Sequence, residues 1–257
     1  MKLLNESVKF MKQQEIATIS FNRPESYNAF NREMAEVLRE ITDSLLEDGD
    51  VRVILLQGEG KAFMSGGDIH FFHERLESMK DESQEMIDLL NSIILNLQKM
   101  KVPVLAKVHG AVAGVGMSFM LATDLVVSTE NCKITTAYSK LGITPDGGLS
   151  YFLPRLVGKK KAAELLLLSD AIDGIKAQKL GLVNWVFSED KLEEETQKVL
   201  QKLSRGPSFA YSELRNLLYS SDSCTLEEQL DLERKSFQAC TQTDDFHRAV
   251  KAFVGGC

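Results

Sequence analysis

Hydrophobic and polar positions alternate along the chain in two different periods. Residues 15–21 and 51–57 form short apolar runs with β-branched side chains, which predict buried strands. Between them, apolar residues recur at helical spacing over about residues 31–48, which predicts an amphipathic helix. A strand, a crossover helix and a second strand imply two parallel neighbours in one sheet.

The same alternation continues through the middle of the chain. A helical stripe from Met86 to Leu97 precedes a predicted strand at residues 103–108, and a helix at residues 117–121 precedes a strand at residues 125–128. Repeated strand and helix units of this kind define the α/β class with a mainly parallel sheet.

Beyond residue 187 the pattern contains helices alone. Thr225 and Glu228 have the spacing of a capping box at the start of one of them. The predicted helices are residues 191–203, 208–219 and 225–239. We therefore expect a core over residues 1–190 and a helical segment over residues 191–257, whose apolar side chains pack against the core or another subunit.

Composition and charge limit the classes of function. The 257 residues include 44% hydrophobic positions, enough for one large domain with a sizeable core. Lys and Arg number 30 against 37 Asp and Glu, a net charge of −7, which argues against nucleic acid as the main partner. No apolar run approaches the ~18 residues that suggest a membrane span, and the first residues lack the apolar core of a signal peptide.

The four cysteines show no spacing typical of a metal site or a disulfide framework. Cys132, Cys224, Cys240 and Cys257 include no Cys-x-x-Cys pair. This pattern is typical of a reducing compartment, so we expect a cytoplasmic protein without a bound metal.

Three glycine-bearing segments carry the candidate chemistry. Residues 61–69 and 108–117 place glycines at turns that lead into helical patterns, where backbone N–H groups can face an anion. Within them, Gly67 and Val115 are the candidate donors. Asp146 stands between a proline and two glycines in a predicted loop, where its carboxylate is available for chemistry. Spacing alone is also typical of close-packed turns and of a turn-forming or helix-capping aspartate.

Two N–H donors and one carboxylate suit the chemistry of a thioester. Removal of an α-proton from a thioester forms an enolate, whose oxygen must be stabilised. Preorganised N–H groups supply that stabilisation, and losing one such donor typically slows a reaction ~10²–10³-fold.

Four motifs resemble, in order and spacing, those of the crotonase superfamily, the enoyl-CoA hydratase/isomerase family. They are residues 23–31, 62–69, 109–124 and 141–155. The resemblance covers nearly the whole chain and implies a crotonase-like spiral of ββα units, with C-terminal helices that build a homotrimer or a dimer of trimers. It assigns the oxyanion hole to the N–H groups of Gly67 and Val115, although family members usually have glycine or alanine at the second position.

The sequence departs from family hydratases at the catalytic acids. Ser118 and Tyr138 stand where those hydratases hold a water between two glutamates. Asp146 stands where dienoyl-CoA isomerases and the ring-epoxide isomerase of phenylacetate degradation have their aspartate, and where aryl-CoA dehalogenases have a nucleophile. One carboxylate can remove a proton from one carbon and return it to another, whereas hydration needs a placed water.

The resemblance and the single aspartate predict an acyl-CoA isomerase that moves a double bond, or rearranges an unsaturated acyl thioester, through an enolate. An enoyl-CoA hydratase, a catalytically weak acyl-CoA-binding protein and an aryl-CoA dehalogenase-like enzyme are the alternatives. Coenzyme A is expected only as part of the acyl-CoA substrate, with no tightly bound cofactor. The resemblance implies contacts to it from Asn28, Ala29, Ala62, Met64, Ile69, Lys251 and Phe253.

Several other side chains carry weaker signals. His70 and His73 are one helical turn apart, which fits half a metal site, but surface positions are the simpler interpretation. Asp68 is interpreted as the cap of the helix that follows it, and Glu164 as a surface carboxylate. The acyl pocket is expected along Phe71, Phe72, Leu76 and Met86.

Overall fold

The computed structural model describes residues 2–4 and 6–255, with the side chains of residues 2–4, 80 and 81 outside the description. Its strands are β1 (Lys2–Leu4), β2 (Val8–Gln13), β3 (Ile16–Phe21), β4 (Val53–Gly58), β5 (Val104–Val108), β6 (Ala111–Ala113), β7 (Leu125–Thr129), β8 (Lys133–Thr135) and β9 (Trp185–Phe187). Its α-helices are α1 (Arg32–Leu46), α2 (Ile69–Glu74), α3 (Met79–Lys99), α4 (Val115–Leu121), α5 (Leu149–Leu168), α6 (Gly174–Lys179), α7 (Leu192–Ser204), α8 (Ser208–Ser220), α9 (Leu226–Cys240) and α10 (Asp244–Gly255).

Over the described ranges, seven strands form one sheet in the order β1-β2-β3-β4-β5-β7-β9. β1, β2 and β3 are antiparallel, and every later pair is parallel. The helix predicted near residues 31–48 is α1, which joins the parallel pair β3 and β4. It begins where Asn31 accepts a hydrogen bond from Met34 N at 3.0 Å.

A second, shorter row of extended segments accompanies the sheet. β6 and β8 pair in parallel, and isolated bridges join Met64 to Val112 and Phe30 to Gly67. Each long strand is thus followed by a short extended segment and then a helix, as in β5-β6-α4 and β7-β8-α5. This repetition confirms the predicted spiral of ββα units. It also places the starts of successive helices near one another, where the candidate donors lie.

The parallel strands are buried on both faces. Successive residues of β4 point to opposite sides, so Ile54 and Leu56 join the main core while Val53 and Leu55 join a second one. The main core brings the sheet together with α1, α3, α4 and α5. Fully burying one aliphatic side chain of this kind contributes about 1.5–3 kcal/mol.

The C-terminal helical segment begins as part of this architecture. Leu192 and Leu200 of α7 pack on the second core, against Val53 and Leu55. Arg52 also donates a hydrogen bond to Gly206 O, just after α7, at 2.6 Å. By its contacts α7 belongs with the core, whereas α9 and α10 contain no buried residue.

A buried cation ties α8 to the end of α3. Arg215 is 5% exposed and donates hydrogen bonds to Leu97 O and Met100 O at 2.9 and 3.0 Å. Its guanidinium also pairs with Asp124, which accepts from Tyr219 Oη at 2.6 Å. The last carbonyl groups of α3, which lack partners within their own helix, are satisfied in this way.

Candidate active site

A cavity of about 880 Å³ opens between α2, the first half of α3 and the loop that precedes α5. Gly67, Val115 and Asp146, which lie far apart in the sequence, all line it. Most of the remaining wall is apolar and includes Phe71, Phe72, Leu76, Met79, Met86, Ile87 and Leu90. The structure therefore brings the three predicted catalytic groups to one apolar cavity of a size common for small-molecule sites.

Gly67 lies in a short extended segment beside Phe30. Phe30 N donates a hydrogen bond to Gly66 O at 2.8 Å, and Asp68 N donates one to Phe30 O at 3.0 Å. Because successive residues of an extended chain face opposite sides, the N–H of Gly67 points away from Phe30. Within the described ranges this N–H has no acceptor. It is therefore available to a ligand in the cavity.

Asp68 fixes the backbone directly after Gly67. Its carboxylate accepts from His70 N at 3.1 Å and from Phe71 N at 3.4 Å, which confirms the predicted cap of α2. The same carboxylate forms an ion pair with Arg23 at 2.9 Å. Asp68 thus holds the turn that presents Gly67 and is committed to structure.

Val115 is the first residue of α4, and Gly114 sets its direction. Gly114 has φ 50° and ψ −121°, a conformation that residues with a Cβ rarely adopt. The N–H of Val115 is one of the donors left unpaired at a helix start, and it has no acceptor in the part of the chain that the structure describes. The valine is only 5% exposed, so its bulk leaves little surface in the cavity.

Asp146 reaches the cavity from the loop before α5. Its Oδ1 accepts a hydrogen bond from Tyr138 Oη at 2.6 Å. Burial raises the pKa of Asp146, and the bond from Tyr138 offsets part of that rise by stabilising the charged form. Burial and the negative charge of Asp146 raise the pKa of Tyr138 well above its ordinary value. The phenol therefore stays protonated and acts as the donor.

Ser118 connects the loop of Asp146 to α4. Its fully buried Oγ donates a hydrogen bond to Asp146 O at 3.0 Å and lies 3.4 Å from Tyr138 Oη. Gly147 has φ +53°, and a Cβ at this position would lie 2.9 Å from Ser118 Cβ. The loop that carries the carboxylate thus touches the helix that begins with Val115. This contact fixes the spacing between the carboxylate and one of the two N–H donors.

Sequence reasoning identified Ser118 and Tyr138 as replacements for two glutamates and missed their contacts with Asp146. A signal was present, because the resemblance puts both positions in one catalytic site, where their side chains must be neighbours. The hydrogen bonds themselves depend on the path of the loop, which spacing does not define. The sequence thus identified the position of Tyr138 in the site but not its hydrogen bond to Asp146.

The side chain of Asn28, a residue predicted to contact coenzyme A, forms hydrogen bonds within the fold. The residue is 0% exposed, and its amide donates hydrogen bonds to Ala62 O at 2.7 Å and Phe63 O at 3.2 Å. Its Oδ1 accepts from Arg23 N at 2.8 Å. These bonds join residues 23–28 to the glycine-bearing segment at residues 61–69, so the side chain supports the turn before Gly67.

The other predicted contacts to coenzyme A differ in exposure. Ala62 and Met64 are 0% exposed and offer no surface to a ligand in this structure, whereas Ala29 is 7% exposed. Ile69 is 51% exposed and lines the cavity. The two C-terminal candidates, Lys251 and Phe253, are exposed on α10 and do not belong to the cavity wall.

The weaker candidates His70, His73 and Glu164 are all exposed, and His73 alone among them also lines the cavity. Glu164 pairs with Lys161. Across the described ranges, no group of three or more His, Cys, Asp or Glu side chains could hold a metal ion. Nor does any described helix have the length and apolar character needed to cross a bilayer.

The chain belongs to the enoyl-CoA hydratase/isomerase family, whose model matches residues 11–255. It is 30% identical over 240 residues to the 1,2-epoxyphenylacetyl-CoA isomerase of Escherichia coli K12, covering 93% of this chain and 92% of that one. It is 32% identical over 253 residues to a probable enoyl-CoA hydratase of Rhodobacter capsulatus, covering 96% and 95%.

A solved structure gives the same fold. The crystal structure of an enoyl-CoA hydratase from Polaromonas sp. JS666 aligns with a TM-score of 0.92 at 28% identity, over 97% of each chain. The spiral of ββα units is therefore the crotonase fold. Relatives described as isomerases and as hydratases occur at similar identity, so the choice between these activities depends on the site itself.

Proposed function

We propose that this enzyme is an acyl-CoA isomerase that moves a double bond along an unsaturated acyl thioester. The observation that carries the proposal is the single carboxylate. Among the described residues of the cavity wall, Asp146 is the only acid. Ser118 and Tyr138, at the two positions of the hydratase glutamates, contribute hydroxyl groups. One base that removes a proton and returns it elsewhere is sufficient for isomerisation.

In the proposed reaction the thioester carbonyl oxygen lies between the N–H groups of Gly67 and Val115. Asp146 removes a proton from the carbon next to that carbonyl. The C–H electron pair delocalises over the carbonyl oxygen and the neighbouring double bond, and the two N–H groups stabilise the charge on oxygen. The carboxyl group then returns the proton to the far end of the delocalised system. The double bond moves by one position, and no water is added.

The environment of Asp146 supports its role as the base. Burial raises the pKa of its carboxyl group, which makes the carboxylate a stronger proton acceptor than an exposed aspartate. A base is most effective when its pKa lies near the working pH. An apolar acyl chain in the cavity would exclude water and extend the same effect.

The lining of the cavity favours a substrate whose acyl group is apolar and bulky or aromatic. The ring of Phe72 packs over Gly67. A Cβ on that glycine would lie only 3.0 Å from Phe72 Cζ. Apolar side chains of α3, among them Met86 and Leu90, continue the wall. The described wall contains no Lys or Arg that would pair with a second acidic group on the acyl chain.

Substitution of the base tests the proposal directly. Asp146→Asn should lower kcat for conversion of a 3-enoyl-CoA to the conjugated 2-enoyl-CoA by about 10²–10⁴-fold, since general-base catalysis contributes that much. KM should change little, because the amide has nearly the same shape. Glu164→Gln is the matched control on the exposed surface and should retain full activity. Unchanged turnover in Asp146→Asn would exclude the proposed base.

Reactions in deuterium oxide separate the alternative activities. An isomerase shifts the double bond without gaining the mass of a water molecule, and it incorporates deuterium only as far as the proton on Asp146 exchanges with solvent during turnover. A hydratase, the alternative that the Rhodobacter capsulatus relative favours, adds water across a 2-enoyl-CoA. Binding without a double-bond shift, exchange or hydration would indicate an acyl-CoA-binding protein, and halide release from a haloaryl-CoA would indicate a dehalogenase-like enzyme.

A further inference from the structure

The contact between Tyr138 and Asp146 is the shortest polar contact described for the candidate base. Tyr138 Oη donates to Oδ1 at 2.6 Å, and Tyr138 itself is only 5% exposed. A hydrogen bond to a charged acceptor is about twice as strong as one between neutral groups. Tyr138 therefore holds one carboxylate oxygen of a residue that lines the cavity, and the main-chain N–H of Asp146 also stabilises the charged carboxylate.

The backbone around Tyr138 is held by hydroxyl groups of the residues on either side of it. Thr136 Oγ1 and Ser139 Oγ lie 2.9 and 2.7 Å from Ser169 Oγ, at the end of α5. Between them, Ala137 has φ 62° and ψ −19°, in the left-handed region that residues with a Cβ avoid. Such a conformation persists only when surrounding contacts impose it, and it is common at functional sites. The fold therefore maintains a strained turn that aims the Tyr138 side chain inward.

Few other polar groups face Asp146. From α4, Ser118 Oγ donates to the main-chain oxygen of Asp146 and not to its carboxylate. From α3, the neighbouring side chain is the apolar Leu90, which would contact a Cβ at position 147. From α2, His73 is the one other titratable side chain on the described cavity wall, apart from Tyr138 behind it. Tyr138 is thus the side chain that directly controls the carboxylate.

We propose that Tyr138 is a positioning residue for proton transfer, its hydroxyl fixing the Asp146 carboxylate in one orientation toward the substrate carbon. This inference rests on the proposed isomerase function. It also explains the replacement of both hydratase glutamates. Ser118 and Tyr138 hold Asp146, which carries the transferred proton. In a hydratase the residues at these two positions hold a water molecule.

Tyr138→Phe removes the hydroxyl and keeps the ring. Loss of the fixed orientation should lower kcat by about tenfold, with KM nearly unchanged, because geometry at the reacting atoms affects mainly the chemical step. The acidic limb of the pH profile should move to higher pH, since the lost bond favoured the charged carboxylate. The shift should persist in a His73→Gln background. Tyr151→Phe, on the exposed face of α5, is the matched control and should leave both quantities unchanged.

A spectroscopic measurement tests the contact independently of activity. The infrared difference between wild type and Asp146→Asn isolates the carboxyl band of Asp146 over a pH titration. In wild type, tyrosine C–O bands should change in the same pH step, and in Tyr138→Phe the carboxyl should titrate at higher pH. A carboxyl titration unaccompanied by any tyrosine change, or an unshifted titration and unchanged kcat in Tyr138→Phe, would overturn the role of Tyr138.

The infrared measurement also separates the two proposals. If wild type isomerises no acyl-CoA, the proposed function fails. The coupled titration of Asp146 and Tyr138 would still report whether the tyrosine holds the carboxylate. Because wild type alone supplies the tyrosine bands, poor folding of Tyr138→Phe would not prevent a decision.

Discussion

Asp146 is held in surroundings that favour its uncharged form. The pKa of its carboxyl group is raised in the folded protein by burial, so the folded chain binds this proton more tightly than the unfolded chain. Folding stability therefore falls as pH rises from the ordinary pKa of an aspartate through the raised value. Above the raised pKa the charged carboxylate opposes folding.

We predict that Asp146→Asn is more stable than wild type at neutral pH although its kcat should be much lower. The amide carries no charge to desolvate and still accepts the hydrogen bond from Tyr138. Thermal unfolding should give a higher Tm for the variant at neutral pH, with the difference shrinking as pH falls toward the ordinary aspartate pKa. A Tm difference independent of pH would contradict this explanation. A lower Tm for Asp146→Asn would show that the carboxylate stabilises the fold.

The contact between Gly147 and Ser118 gives a second prediction. Gly147→Ala should be destabilising by about 2 kcal/mol more than Gly181→Ala, because overpacking adds to the cost of a left-handed conformation. Both glycines have positive φ, +53° and +77°, but nothing lies within 4 Å of a Cβ at Gly181. Chemical denaturation measures the difference. Only the Gly147 variant should also lose activity, so equal stability and activity in the two variants would contradict a tight contact.

At the level of residues, motif spacing anticipated that Gly67, Val115 and Asp146 line one cavity. Their convergence follows from the repeated ββα unit, which returns the chain to the same edge after each turn. The bond between Tyr138 and Asp146 could not be anticipated in the same way. It depends on the left-handed backbone at Ala137 and on a short 3-10 turn, features that no hydrophobic period encodes.

Among the elements, periodicity predicted those whose apolar residues form a run or recur at helical spacing in the sequence. The strands β3, β4, β5 and β7 and the helices α1, α3, α7, α8 and α9 were predicted within a few residues, apart from an early start of α3. The short strands β6, β8 and β9 were missed, because three residues are too few to define a period. β2, α5, α6 and α10 were missed as well, although β2 and α5 contribute buried residues to the main core.

Arg215 is predicted to be the main attachment of α8. Arg215→Ala would leave Asp124 without its cation and two carbonyl groups of α3 without their donor. Removing one partner of a buried ion pair typically costs about 3 kcal/mol or more. Urea unfolding should show this loss, whereas Arg234→Ala, which breaks an exposed pair on α9, should change stability by less than about 0.5 kcal/mol. Similar values for the two variants would exclude a structural role for the buried pair.

For the molecule as a whole, the exposed apolar side chains of the last helices predict self-association. Leu226, Phe237 and Phe253 are 76%, 69% and 89% exposed, more than an isolated chain commonly leaves in solvent. We expect a trimer or a dimer of trimers, so sedimentation should give a multiple of 28.7 kDa rather than that mass. Phe237→Ser should weaken assembly without unfolding the chain, because the ring buries little in one subunit. A monomer at micromolar concentration would contradict the prediction.

The order of the strands also bears on how the chain folds during synthesis. From β3 to β9 the main sheet follows the order of translation, so each new parallel strand can add to an edge that has already left the ribosome. The contacts at the end of α3 cannot form in that order, because they need a residue that is synthesised much later. Met100 O receives its donor from Arg215, 115 residues later. Nascent chains that stop before α8 therefore leave the carbonyl groups at the end of α3 without their donor. A chaperone that recognises such intermediates would act before α8 has been synthesised.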